Sequence, residues 1–410
     1  MRVLRVNLRL VVALGVLAMA SPAHASPISG HAMVYTCCTA HAMKERIFAE
    51  AEAVGAEFIR VDIEMSGIFT GPGPAPRDHP DWTHLDEVME LAREHHLRVL
   101  GLLLAPPAYI STCPDRGGDA GRCPAADTHE FGRLAGEIAE HAQDTIRHWE
   151  ILNEPDAGWA FEGTPEQYAA MLSAAHDGIK ARVPDARVVL GGISRPKDPA
   201  WLERVFATPG ADAIHKFDIA GVHLRGPVDP VVHRYREFHA WLAARGFGGP
   251  LWVTETGYPA DPAYQVDPRF TGGDTAQASY LTQLLVDLGE ARAEQVFVTL
   301  RDNDDLDRQY ATEGLVHIDA AAGAATRRES FYAVRRLATN WDQLMAWRRE
   351  QQGVEQLVPL YEAVAAVVAG RRTAQLWHSA HSRWQRSLAA EHRVIEALKR
   401  QIAGTAVGPP

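Results

Sequence analysis

The chain has 410 residues, of which 46% are hydrophobic, enough to bury a substantial core as one large domain with an appendage or as two domains. A formal net charge of -11 excludes the basic field that nucleic-acid binding requires, so no nucleic-acid partner is expected. Charge alone selects no substrate.

The start of the chain reads as an address. Arg2, Arg5 and Arg9 precede an apolar run from Leu10 to Ala20, and Ala23-His24-Ala25 supplies small residues for cleavage. That order marks a removable export signal, because the run is too short to span a bilayer comfortably. Residues 1–25 are expected to be a signal peptide, with the mature chain starting near Ser26 in a secreted, extracellular protein; an uncleaved anchor is the alternative. No later stretch is long and apolar enough to suggest a membrane span.

From here apolar, β-rich runs alternate with amphipathic stretches. Ala32 to Tyr35 is a predicted strand, followed by a helical pattern from Ala40 to Val54. Phe58 to Val61 and then Leu85 to His96 form the second pair, and Arg98 to Leu104 is a continuous buried strand. After a long loop come a helix from His129 to Ala142, a strand from Ile146 to Leu152, and a helix from Pro165 to Val183 with proline in its first turn. The series continues with Ala186 to Leu190, Ala200 to Ala207, Phe217 to Val222, Pro230 to Arg245, Leu251 to Thr254 and Ala276 to Ala291. Val296 to Leu300 and Arg328 to Leu337 close it. Eight strand–helix units over roughly 300 residues predict an α/β fold, a (β/α)8 TIM barrel. An open doubly wound sheet would show a Gly-rich first turn, whereas the first strand leads into Thr36-Cys37-Cys38-Thr39.

Beyond Trp341 strand signals vanish. Leu344, Trp347, Val354, Leu357, Tyr361, Val364 and Val367 recur at helical spacing, and Leu376, Trp384, Leu388, Ile395 and Leu398 carry a second stretch. The expected organisation is a signal at 1–25, a barrel domain at 26–340 and a helical C-terminal extension at 341–410, which packs on the barrel or offers a surface for self-association.

Cys113 and Cys123 bracket a loop containing Gly and Pro, and we expect that pair to be a disulfide staple. Four cysteines allow three connectivities, and whether adjacent Cys37 and Cys38 are bridged is left open. There is no C-x-x-C or H-E-x-x-H, so neither a metal nor a cofactor is expected.

Two strand ends carry the chemistry: Trp149-Glu150-Ile151-Leu152-Asn153-Glu154-Pro155 and Trp252-Val253-Thr254-Glu255-Thr256-Gly257-Tyr258. Each sets a carboxylate at the C-terminal end of a predicted strand, the fourth and the seventh, where barrel active sites form. By alternation Leu251, Val253 and Glu255 share one strand face, as do Phe217, Ile219, Gly221 and His223, and Phe58, Arg60 and Asp62. These rows would carry Glu255, His223 and Arg60 up to the barrel mouth. Neighbouring Asn153 and Glu154 cannot both obey alternation, so the chain must turn there. Glu150 reads as a buried barrel residue with an ion-pair partner. Glycoside cleavage needs two carboxyl groups flanking one bond, one protonating the departing oxygen and the other attacking the anomeric carbon or activating water.

At these residues the sequence resembles the clan A glycoside hydrolases, above all the cellulase-like family five and the β-xylosidase-like family thirty-nine. Asn153-Glu154-Pro155 matches the acid/base signature, and Glu255 with Thr256-Gly257-Tyr258 matches the nucleophile segment. The resemblance covers roughly residues 30 to 338. It implies Glu154 as acid/base, Glu255 as nucleophile, Asn153 on the sugar 2-hydroxyl, Arg60 supporting the nucleophile and His223 on the substrate side. The implied protein is a retaining glycosidase acting on O-glycosidic bonds of a poly- or oligosaccharide. The alternatives are a non-catalytic carbohydrate-binding or scaffold protein on the same barrel, or a transglycosylase. Trp159, Tyr109 and Tyr258 are candidate sugar platforms. The sequence departs from the pattern at Arg225, where a tyrosine is common, at Leu300-Arg301-Asp302, where a tryptophan ends strand eight, and at Ala105-Pro106-Pro107, where a histidine ends strand three. Arg225, Arg301 and Asp302 would make a charged rim suited to an acidic or charged sugar. Asp302 to Asp307 is acidic but matches no calcium motif.

Overall fold

Short runs rich in Val, Ile and Leu, buried along nearly their whole length, pair side by side as parallel strands because both of their faces are covered. The computed structural model describes residues 26–70, 79–303, 308–319 and 324–368. The strands are β1 (Ile28–Tyr35), β2 (Phe58–Glu64), β3 (Arg98–Leu104), β4 (Ile146–Ile151), β5 (Arg187–Leu190), β6 (Ala220–His223), β7 (Leu251–Thr256) and β8 (Val296–Thr299). Their order is β5-β4-β3-β2-β1-β8-β7-β6. Parallel bridges Val189–Ile219 and Ile193–Val222 join β5 to β6 and close the ring. The outer layer is α1 (His41–Val54), α2 (Thr83–Glu94), α3 (Thr128–His141), α4 (Pro165–Arg182), α5 (Ala200–Phe206), α6 (Val228–Ala243), α7 (Asp274–Glu290) and α8 (Glu329–Val368). This is the expected (β/α)8 barrel.

Local signals set the helix ends. Thr164 caps α4 in a capping box, its Oγ1 accepting from the Gln167 amide while Gln167 Oε1 accepts from the Thr164 amide, with Pro165 at the first position. Asp127 caps α3 by accepting from the Glu130 amide at 2.9 Å. Helices α3 and α4 then approach closely: a Cβ on Gly178 would fall 1.9 Å from the Gly132 carbonyl oxygen.

Several boundaries differ from the sequence reading for physical reasons. Strand β2 runs to Glu64, not Val61, because polar Asp62 and Glu64 belong to the barrel mouth and are buried there. Strand β6 begins at Ala220, since Asp218 turns back to accept from the Val188 amide and Phe217 packs against Phe206 and Phe247. A small hairpin, β9 (Val316–Ile318) with β10 (Ala325–Arg327), lies between β8 and α8, a stretch to which the sequence assigned no element. Helix α8 is continuous through the expected boundary at residues 340 and 341. Trp341 and Met345 on it pack against Val286 of α7, and Gly289 leaves room for the Trp341 ring. The expected export signal and the second helical stretch, from Leu376 to Leu398, lie outside the described residues.

Inside the ring the floor is apolar. Phe58, Leu100, Val189, Ile219, Trp252 and Phe297 form one cluster, with His148 stacked on Trp252. Directly above it lies a buried charged layer. Arg60 Nε donates to Glu150 Oε2 at 2.6 Å, and Glu150 Oε1 accepts from the Gly192 amide and Thr254 Oγ1. Glu150 is therefore the paired barrel residue the sequence suggested, and Arg60 is its partner.

Candidate active site

Strict alternation ends at the C-terminal end of β4. Leu152 and Glu154 both adopt left-handed backbone, with φ of 63° and 40°. For residues with a Cβ this costs on the order of 1–3 kcal/mol each and persists only where the surroundings enforce it. The turn lets neighbouring side chains serve one site: Asn153 Oδ1 accepts from Arg60 Nη2 at 2.9 Å, and Glu154 Oε1 lies 2.6 Å from His223 Nδ1. A proton held between Glu154 and His223 joins them, carried by one or the other.

Glu255 reaches the same place by another route, and here the alternation argument fails. Trp252 and Thr254 face the lumen, Trp252 in the floor cluster and Thr254 on Glu150, so Leu251 and Val253 face the helices. Glu255 should follow them outward. The register explains why it does not: Val222 pairs with Val253 and His223 with Glu255, while Val253 pairs with Val296 and Thr256 with Val298. Both neighbours count one extra residue on β7, a β-bulge that re-aims the next side chain.

Once turned inward, Glu255 is surrounded. Oε1 accepts from Arg225 Nη2 at 2.7 Å, and Oε2 lies 3.3 Å from His31 Nε2, 3.6 Å from Arg60 Nη1 and 3.7 Å from His223 Nδ1. Burial alone would raise its pKa. Arg225 first, then the two histidines and Arg60, hold it well below the usual carboxylate range. Burial pushes His31 down to about 3, so it is neutral at ordinary pH. Its Nδ1 faces the Arg60 guanidinium, which can only donate, so the His31 proton sits on Nε2 toward Glu255. Gly192 makes room for His223, since a Cβ there would fall 2.1 Å from His223 Nε2.

One oxygen from each of Glu154 and Glu255 and the His223 nitrogen all lie within 4.8 Å of one another. That puts the two carboxyl groups close to the ~5–5.5 Å that permits direct attack with retention. Among the described residues these three atoms also have the spacing of metal ligands.

Solved structures with the same architecture include a family 39 glycoside hydrolase from the gut symbiont Bacteroides cellulosilyticus WH2, with TM-score 0.58 and 14% identity over 78% of this chain and 64% of that one. A glucosidase from Croceicoccus marinus gives 0.59 and 16% identity over 77% and 68%. A family 1 β-glucosidase from Thermotoga maritima gives 0.54 and 15% identity over 72% and 86%. The shared fold is the (β/α)8 barrel. The chain spans just under two thirds of the length of the first of these proteins. No protein-family model matches the chain, and no curated protein matches it.

The other expected residues divide around the barrel mouth. Trp159 is 63% exposed and lines a cavity of about 740 Å³ together with Glu154, His223 and Arg225. Tyr258 is no sugar platform: it is buried, stacks on Tyr280 and donates to the Phe270 carbonyl, because the chain after β7 folds back over it. Tyr109 packs against the barrel–helix core. Arg301 donates to the Ala32 carbonyl and stays outside that cavity. Asp302 is buried against Arg328 and the Gly314 amide, so it anchors the β9–β10 hairpin instead of charging the rim. Residues 304–307 lie outside the described residues. Cys113–Cys123 is a disulfide, and so is Cys37–Cys38.

Two members of the site escaped the sequence. His31 stands one residue before the expected first strand, and starting that strand at Ile28 would have put it in the inward row with Ser29. Glu313 comes from the loop after β8 and binds Arg225 through both oxygens, at 3.0 Å from Nε and 2.9 Å from Nη2. No local pattern marks it.

Proposed function

We propose that the protein is an exported retaining glycoside hydrolase, with Glu255 as nucleophile and Glu154 as acid and base. The observation that carries this reading is the convergence of the two carboxylates within 4.8 Å, at the mouth of a barrel whose other strand ends supply their partners. In the first step a Glu255 oxygen bonds to the anomeric carbon as the glycosidic C–O bond breaks, and Glu154 gives its proton to the departing oxygen. In the second, Glu154 takes a proton from water, the water oxygen bonds to the anomeric carbon, and Glu255 is released. Cations around Glu255 keep it ionised for attack. In this reading Asn153, held by Arg60, bonds the sugar 2-hydroxyl. Export is supported by the N-terminal pattern and by two disulfides, which persist in oxidising compartments. Within this reading 26–340 is the catalytic domain and 341–410 an extension of it.

Aryl glycosides tested with wild type, Glu154→Ala and Glu255→Ala decide the matter. Turnover is expected in wild type and should fall by ~10²–10⁴ in Glu154→Ala with a poor leaving group, less with an activated one that needs no proton. Glu255→Ala should be inactive, and the first product released by wild type should keep its anomeric configuration. Turnover surviving in Glu255→Ala would refute the assignment. The steps above assign no ion to Glu154, His223 and Glu255, so treatment with EDTA is expected to leave the rate unchanged.

One observation favours a second reading. Arg225 is in direct contact with Glu255 and would blunt it as a nucleophile. Sugar binding by wild type with no turnover would select a non-catalytic carbohydrate-binding barrel.

A further inference from the structure

The cavity beside Glu154 is lined by Glu154 but not by Glu255. If Glu154 protonates the departing oxygen, as proposed above, the sugar that leaves must lie on its side of the bond, in this cavity. Its charged lining is unbalanced: Arg195, Lys197, Arg225 and Arg234 face only Glu154 and Asp198. The four cations are not equivalent. Arg225 is neutralised within the protein by Glu313 and Glu255. Arg195 has its Nε 3.6 Å from Asp156 Oδ2, a carboxylate already bonded to the Ser194 amide and hydroxyl and to the Arg195 amide.

Arg234 and Lys197 differ from both. Arg234 is half-buried and donates to the Arg225 carbonyl, and among the described residues no carboxylate lies within ion-pair distance of it. Lys197 is exposed and has no ion pair among them either. A guanidinium withdrawn from water without a counter-ion is costly to the protein alone, and an arriving anion relieves that cost. Trp159, largely exposed, lines the same cavity and offers it an aromatic face.

The geometry points to a leaving-group sugar that carries an anion, a carboxylate or a sulfate ester, held by Arg234 and Lys197 while its ring lies against Trp159. The two anions share the same recognition chemistry, and the experiment separates them. Methyl β-glucoside, methyl β-glucuronide and glucose 6-sulfate are titrated into Glu255→Gln protein, with binding followed by calorimetry and by ligand-observed NMR. Because that variant needs no turnover, the result does not depend on hydrolysis.

At least one anionic probe should bind roughly tenfold or more tighter than the neutral glucoside. The preference should weaken with added salt and shrink in Lys197→Gln and in Arg234→Gln, each added to the same background. Lys197 is a surface residue, so its variant should fold normally, and an unchanged melting temperature checks this. Equal binding of all three probes, binding of neither anion, or a preference untouched by both substitutions would overturn the proposal. Wild-type turnover, measured separately, tells the two readings apart. Anion preference without turnover removes hydrolysis and keeps the anion site; turnover without preference does the reverse.

Discussion

Arg60 and Glu150 show how a single pair organises the barrel mouth. Both are buried, and Arg60 extends from Glu150 to Asn153 and toward Glu255. Removing one member leaves the other charge without its partner, which typically costs about 3–5 kcal/mol. Glu150→Ala should therefore lose that much stability, read from the midpoint and slope of urea unfolding; a loss under about 1 kcal/mol would mean the pair is not the anchor described. Arg225 acts at the same scale through charge. Burial raises the Glu255 pKa and Arg225 is the largest force lowering it, so Arg225→Met should move the acidic limb of the kcat/KM profile to higher pH. An unmoved limb would show that Arg60 and the histidines suffice.

Among the elements, β7 carries the most consequence per residue. Its pattern, with Leu251 and Val253 toward the helices and Trp252 and Thr254 toward the lumen, would point Glu255 out of the barrel without the bulge. Alternation is legible in a sequence, whereas an inserted residue is not, because the bulge exists only relative to the registers of β6 and β8. Helices α3 and α4 illustrate the reverse case, where a sequence oddity had a tertiary cause. Gly132, Gly136 and Gly178 look like poor helix formers, yet each removes a side chain from a backbone-to-backbone approach. Gly178→Val should destabilise the fold by about 1–3 kcal/mol or more through overpacking, despite valine's higher helix propensity, while leaving KM nearly unchanged. Denaturation and steady-state assays on the same preparation test both halves.

For the whole molecule, pH is the variable most directly tied to the buried charges. Burial raises the Asp62 pKa from 3.8 to about 7, so the folded state holds a proton that the unfolded state has lost. This group's contribution to stability therefore declines as pH rises from about 4 to about 7, by an amount on the order of 4 kcal/mol. Asp62→Asn keeps the neutral form. It should melt near the wild-type temperature at pH about 4 and clearly above it at pH about 8, and parallel melting curves across that range would contradict the burial argument. The Cys113–Cys123 bridge closes a loop beside the Ala108–Ile110 turn after β3, and replacing both residues with serine should cost roughly 2–3 kcal/mol through the freed unfolded chain. Thermal melting with and without reductant measures it.

The sequence by itself determined the strand–helix alternation, the barrel it implies, and the carboxylates at the ends of the fourth and seventh strands. It determined these because periodicity, capping residues and turn residues act over a few neighbours. Closure of the sheet decided the rest. Only then do His31 from the first strand and Glu313 from beyond the eighth meet around Glu255 and Arg225. The chain after β7 folds over Tyr258, and Arg328 with the Gly314 amide buries Asp302, both of which the sequence offered to the cleft. Contacts between residues hundreds of positions apart depend on strand register and ring geometry, and no local pattern encodes either.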